Sequence, residues 1–292
     1  MRTPDINIHR RALSGIQSNL RGIDRAANEI ALGKRLIAPS DDPSNARSIL
    51  RAARSSREAD QFIRNIERAK ALTALEDEAL QQLGNALVRG RELALSQGGS
   101  DANAESRQIA AKEAAELVSF LQDLGNTRMG DRYVFGGSRP TTPPFPPGHD
   151  PADPLPDGEI RLEIGPDRTL APNQSADRVF GESGALTALQ SLVAALETND
   201  TEGIRQAAEA LDEAHGRIQV LAGATGSRMN QMELAESRLD SARFAATELR
   251  SNLEDVDLVE AISRLGQRQN AYESALAVTA RVLGTGLVDY LR

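Results

Sequence analysis

From Ile204 to Val256 the chain's helical positions alternate spacings of three and four without a slip, through Ala207, Leu211, Ala214, Ile218, Leu221, Thr225, Arg228, Met232, Ala235, Leu239, Ala242, Ala246, Leu249 and Leu253. This repeat lines up one side of an α-helix as a narrow stripe that packs against other helices. At 1.5 Å per residue the helix runs to about 80 Å, so it must lie along other long helices rather than inside a compact globule. Thr225 and Arg228 are the polar members of the stripe. Gly216, Gly223 and Gly226 each cost about 1 kcal/mol relative to alanine in a helix interior. They either mark a local break or allow close approach of a neighbouring helix, and the one-heptad spacing of Gly216 and Gly223 favours close approach.

The same period appears at both ends. Leu13, Ile16, Leu20, Ile23, Ala27 and Ile30 form a seam on a first helix, which Gly33 ends and whose C-terminal dipole suits Lys34 and Arg35. Ser40, Asp41 and Asp42 offer oxygens to the free N–H groups of a new first turn, and Pro43 fits its first helical position. A long second helix then carries Phe62, Ile66, Ala69, Leu72, Leu75, Ala79, Leu83 and Ala86 up to the turn cluster Gly98-Gly99-Ser100-Asp101. A shorter helix with Ile109, Leu117, Phe120, Leu121 and Leu124 stops at Gly125-Asn126 and can fold back on it. Another short helix holds Leu186, Leu189, Val193 and Leu196. The last helix carries Leu258, Ile262, Leu265, Tyr272, Leu276 and Leu283, so the first helix can pair with it. Residues 1–35 carry net +4 and residues 248–292 net −2, a weak complement. Apolar contact must dominate that pairing.

Between the helical arms the chemistry changes. Ten of the thirteen prolines lie from Pro140 to Pro172, and Tyr133, Phe135, Phe145 and Phe180 fall in or beside the same window. Helix is excluded there. Ile160, Leu162 and Ile164 alternate with polar residues, and Gly165-Pro166-Asp167 turns them toward Thr169-Leu170-Ala171, a hairpin signal. The expected fold is mainly α: a long antiparallel helical bundle or coiled coil with paired N- and C-terminal helices and a small β-rich inserted domain. Residues 1–42 form the N-terminal helix and elbow, which pair with the C-terminal helix of 256–292. Residues 43–130 and 184–255 form the long-helix bundle, and 131–183 the β-rich insert, expected to project outward from the helices.

Little in the composition supports catalysis. The 292 residues include no Cys and no Trp, and only 3% are aromatic. A thiolate nucleophile and a Cys-based zinc site are therefore excluded. His9, His149 and His215 stand in separate segments without a second ligand at metal spacing. Glu254, Asp255 and Asp257 mark a new helical turn more simply than an acid–base pair. Gly33-Lys34-Arg35 and Gly223-Ala224-Thr225-Gly226-Ser227 lack the context of a phosphate loop. No catalytic, cofactor or metal residue is assigned. The net charge of −8 disfavours nucleic acid as a partner. No apolar stretch reaches the roughly 20 residues that cross a bilayer, and the N-terminus has no apolar signal region.

Several stretches together resemble the bacterial flagellin superfamily: the N-terminal amphipathic helix, GKRLIAPSDDP at 33–43, LEDVDLVEAI at 253–262 and ALAVTARVLGTGLVDYLR at 275–292. Within it, GDRYVFGGSRPTTPPF at 130–145 and DRVFG at 177–181 are similar to the hook-associated protein 3 type. The run PPFPPGHDPADPLPDG at 143–158 is richer in proline than that pattern. The resemblance implies a non-catalytic, extracellular flagellar subunit, exported unfolded by the flagellar type III apparatus without a cleaved signal peptide. It implies self-assembly as a ring in a helical lattice between hook-associated protein 1 and flagellin, and a cytosolic export chaperone over the C-terminal helix. Leu13, Ile16, Leu20, Ile23, Ile30, Leu258, Ile262, Leu265, Tyr272, Leu276 and Leu283 are then the expected assembly seam. An exposed surface of Leu276, Val278, Val282, Leu283 and Leu287 would be the chaperone's target. Alternatives are a flagellin-type filament subunit and a coiled-coil scaffold protein.

Overall fold

The structure, a computed structural model, describes residues 3–99, 102–149 and 153–290, with side chains described between residues 10 and 281 of those ranges. Ser100 and Asp101 of the turn cluster, residues 150–152 of the proline-rich run and the side chains of His9, Val282, Leu283 and Leu287 lie outside the described residues. Helices are α1 (Thr3–Leu32), α2 (Pro43–Gln97), α3 (Ala104–Gly125), α4 (Ala185–Glu197), α5 (Thr201–Glu254) and α6 (Leu258–Tyr290). Two antiparallel hairpins, β1 (Arg128–Met129) with β2 (Arg132–Tyr133) and β3 (Leu162–Gly165) with β4 (Arg168–Leu170), precede a π-helical turn at Asp177–Gly181. The chain divides into two units: residues 1–57 with 242–292, and residues 58–241. Both α2 and α5 contribute to each unit.

The 58–241 unit holds the large buried side chains. Leu80, Leu83 and Leu87 of α2 meet Leu121 of α3, Leu189, Leu192 and Leu196 of α4, and Ile204 and Leu211 of α5 in one apolar cluster. Each such side chain contributes about 1.5–3 kcal/mol on burial. The α2–α3 turn closes by polar chemistry. Asn103 caps α3 by accepting from the Ser106 N–H at 2.8 Å, and the buried Arg107 guanidinium donates to the carbonyls of Gln97 and Gly99, each at 3.0 Å.

The insert does not project, contrary to the expectation above. Val134, Phe135, Phe145, Val179 and Phe180 belong to the helical core cluster itself. The rings of Phe135 and Phe145 both stand edge-on to Phe180, at 5.3 and 5.5 Å between centroids. Gly125 ends α3 so closely under them that a Cβ there would lie 2.2 Å from the Phe145 ring. The β3–β4 hairpin docks likewise, with Ile164 and Leu170 buried among Ala59, Ile63 and Ile66 of α2 and Met232, Ala235 and Leu239 of α5. The reason is size: some fifty proline-rich residues cannot enclose their own apolar side chains, so they borrow the helices' surface. β structure is also scarcer than expected. Strand β3 starts at Leu162 rather than Ile160, and the turn runs through Asp167 at φ 55°.

Two further features of α5 bear on the sequence expectations. It is unbroken, and nothing lies within 4 Å of where a Cβ would stand on Gly216, Gly223 or Gly226. No helix of this chain approaches closely there, so the expected close contact is absent among the described residues. Thr225 and Arg228, by contrast, have a buried partner that periodicity passed over. Glu76 of α2 is fully buried, and its Oε2 accepts from the Arg228 guanidinium at 2.7 Å. Its Oε1 accepts from the backbone N–H and side-chain amide of Gln174, at 3.1 and 2.9 Å. Thr225 Oγ1 accepts from Arg228 at 2.8 Å, and Thr73 Oγ1 donates to the Pro172 carbonyl at 2.6 Å. Burial pushes the Glu76 carboxyl above its ordinary range, against the pull of Arg228 and the Gln174 donors.

Candidate assembly interface

The unit of residues 1–57 and 242–292 is built differently. Helix α1 lies along α6 in antiparallel fashion, and a Cβ on Gly22 would meet the Arg268 side chain at 3.1 Å. Deeper along the pair, Glu29 is buried and accepts from Arg264 at 3.0 Å and from Arg25 at 3.3 Å. The elbow then crosses to the α5–α6 link. Gly33 adopts φ 66°, Lys34 forms an antiparallel bridge with Asp255, the Arg35 N–H donates to the Glu254 carbonyl at 2.7 Å, and the Val256 N–H donates to the Gly33 carbonyl at 3.1 Å. The Lys34 ammonium pairs with the Glu254 carboxylate.

Acidic residues fix both corners. Asp42 caps α2: its Oδ1 accepts from the N–H groups of Ser44 and Asn45, each at 3.1 Å. Asp41 turns back and accepts from the Ala38 and Ile37 N–H groups at 3.0 and 3.3 Å. The Asn45 N–H and the Ser44 hydroxyl hold the Asp42 carboxyl below its ordinary range, and the Ala38 N–H does the same for Asp41. Asp257 caps α6 by accepting from the Val259 and Glu260 N–H groups at 2.9 and 3.1 Å. The carboxylates at 254–257 thus serve chain geometry, each held by the link it stabilises.

What this unit buries is slight. Its buried apolar residues, among those described, are Ala26, Ala52, Ala246 and Ala261. Of the expected seam, Ile16, Ile23, Ile30, Leu265 and Tyr272 are half-buried. Leu13, Leu20, Leu258, Ile262 and Leu276 are exposed at 57%, 45%, 51%, 58% and 42%. The seam therefore splits: one edge closes α1 on α6 and the other faces out. Periodicity missed the buried Ala26, Glu29 and Ala261 and the half-buried Arg264 that pairs with Glu29, because a pairing of small and charged residues carries no apolar signal. It also missed Val259, which together with the expected Val278 widens the open face of α6. At the elbow, Leu36, Ile37, Ala38, Pro39, Ile49 and Leu50 line an open hollow of about 450 Å³.

Residues 7–139 match the bacterial flagellin N-terminal helical region, and residues 208–291 match the bacterial flagellin C-terminal helical region. The flagellar hook-associated protein 3 of Escherichia coli (strain K12) is 24% identical over 93% of this chain and 96% of its own length. A flagellin of Listeria monocytogenes is 23% identical over 91% of this chain and 90% of its own length. In three dimensions, the chain is similar to the flagellar junction protein FlgL from Legionella pneumophila. That likeness has a TM-score of 0.58 and 16% identity, covering 71% of this chain and all of that one.

Proposed function

The chain belongs to the bacterial flagellin family, and from that premise we propose that it is a structural adaptor at the junction between flagellar hook and filament. Its role is mechanical, with no catalytic step. The observation that carries the reading is the contrast between the units. Among the described residues, the apolar side chains that residues 1–57 and 242–292 bury are alanines, yet Leu13, Leu20, Leu258, Ile262, Leu276 and Val278 stay open to water. A buried alanine methyl contributes a fraction of the 1.5–3 kcal/mol that a buried Leu or Ile supplies. Long helices draw most of their stability from tertiary packing. The terminal pair is therefore completed by neighbours: further copies in a ring of the helical lattice, hook-associated protein 1 on the hook side and flagellin on the filament side. Before export by the flagellar type III route, a chaperone covers the C-terminal helix and so hides the same open face. In domain terms, residues 1–42 with 256–292 form the assembling arm, 43–130 with 184–255 the bundle, and 131–183 a docked insert.

Deletion of the gene tests the assignment. Cells without the protein should keep hooks and release flagellin monomers into the medium. Normal filaments in such cells would remove the adaptor role. The similarity to a flagellin over nine tenths of the chain favours one second reading, a filament subunit. In that case labelled protein should decorate the whole filament rather than a single band at its base.

A further inference from the structure

The buried polar cluster of Glu76, Arg228, Gln174, Thr225 and Thr73 has no part in the assembly face. Its position in the two seams is informative. On α2 the seam of buried positions runs Ile66, Ala69, Thr73, Glu76, Leu80, Leu83 and Leu87, and on α5 the seam of buried and half-buried positions runs Ile218, Leu221, Thr225, Arg228, Met232, Ala235 and Leu239. Each seam contains one adjacent pair of polar positions, and they meet through Glu76 and Arg228, with the Gln174 amide reaching both Glu76 and Thr225. Apolar heptad seams are nearly degenerate to a slide of seven residues, roughly 10 Å. A slide here would set Glu76 against Leu221 or Ala235, and Arg228 against Ala69 or Leu83, burying a charge without its partner.

We propose that the Glu76–Arg228 pair is a register lock, which leaves the antiparallel α2–α5 pairing of the 58–241 unit only one permitted alignment and lets Gln174 dock the insert only in that alignment. Geometry supports a role in specificity above one in strength. Both charges are withdrawn from water, and the buried Arg228 Nε has no hydrogen-bond partner among the described residues. A buried pair of this kind is often no more stabilising than matched apolar residues, whereas a single buried polar position is known to fix register in helical assemblies. The Lys70–Glu236 and Arg91–Asp212 pairs lie in the same alignment but are more exposed, so they discriminate less. The inference concerns folding inside one subunit and stands whether or not the junction role is correct.

The absence of cysteine makes the test direct. Nitroxide labels on Gln81→Cys and Ser237→Cys, both at exposed positions, report the alignment as a spin–spin distance. With Glu76 and Arg228 in place, one distance population is expected. In E76L/R228L and in E76M/R228M, helix content should persist by circular dichroism while a second population appears, displaced by roughly 10 Å. A single population at the original distance in either folded double variant would overturn the proposal, because packing of α4 and the insert would then set register unaided. Failure of both double variants to fold would overturn it too, since the pair would then supply strength that matched apolar residues cannot.

Discussion

Gly125 and Gly33 are both required, for different reasons. At Gly125 a methyl group would collide with the Phe145 ring and press on Phe180, so Gly125→Ala must displace an aromatic trio that is already close-packed. Overpacking of this kind costs about 1–3 kcal/mol, read as a lower urea midpoint. At Gly33 space is free and the constraint is the left-handed backbone. Gly33→Ala should cost about 1–2 kcal/mol through that conformation alone, loosening the elbow while the aromatic core keeps its near-ultraviolet signal. Glu76 gives a pH signature. Its folded carboxyl titrates above the unfolded one, so its contribution is complete below the unfolded value and is lost as pH rises through the folded value. Against Glu76→Gln, the wild type should lose relative stability in urea titrations as pH climbs out of the acid range. A flat difference would mean that Arg228 fully offsets burial.

Among the elements, the helix starts differ in their response to acid. Asp42 holds the first turn of α2 as an ionised cap, and its carboxyl is lowered by the Asn45 N–H and Ser44. Its contribution is present above the unfolded value near 3.8 and is lost as pH falls through the lowered one. Asn is an equally good cap that does not titrate. The difference between wild type and Asp42→Asn should therefore close as pH falls below about 4, in thermal melts followed at 222 nm. Periodicity located these helices well, because caps, prolines and glycines are local devices. It located the insert's hairpin but not its docking, since Ile164 and Leu170 carry the same alternation whether they face solvent or a helix.

The two units of the molecule should not be equally stable. One encloses Leu, Ile and Phe side chains in two clusters, and the other encloses alanines. In the monomer, hydrogen exchange should run orders of magnitude faster for α1 and α6 than for α3, α4 and residues 58–97 of α2. On concentration-dependent assembly the terminal helices should gain protection first. Slow exchange at residues 10–30 and 258–281 of a dilute monomer would contradict completion by neighbours.

The order of helices, their caps and the elbow were fixed by the linear chain, because three-four spacing and turn chemistry act within a few residues. The resemblance at both termini was legible for the same reason, as short contiguous strings. Tertiary structure alone decided which half of the terminal seam closes and which stays open. It also decided that the insert is docked and that Arg228 is answered by Glu76. Those outcomes depend on partners far apart along the chain, where a side chain's worth is set by what meets it and not by its own kind.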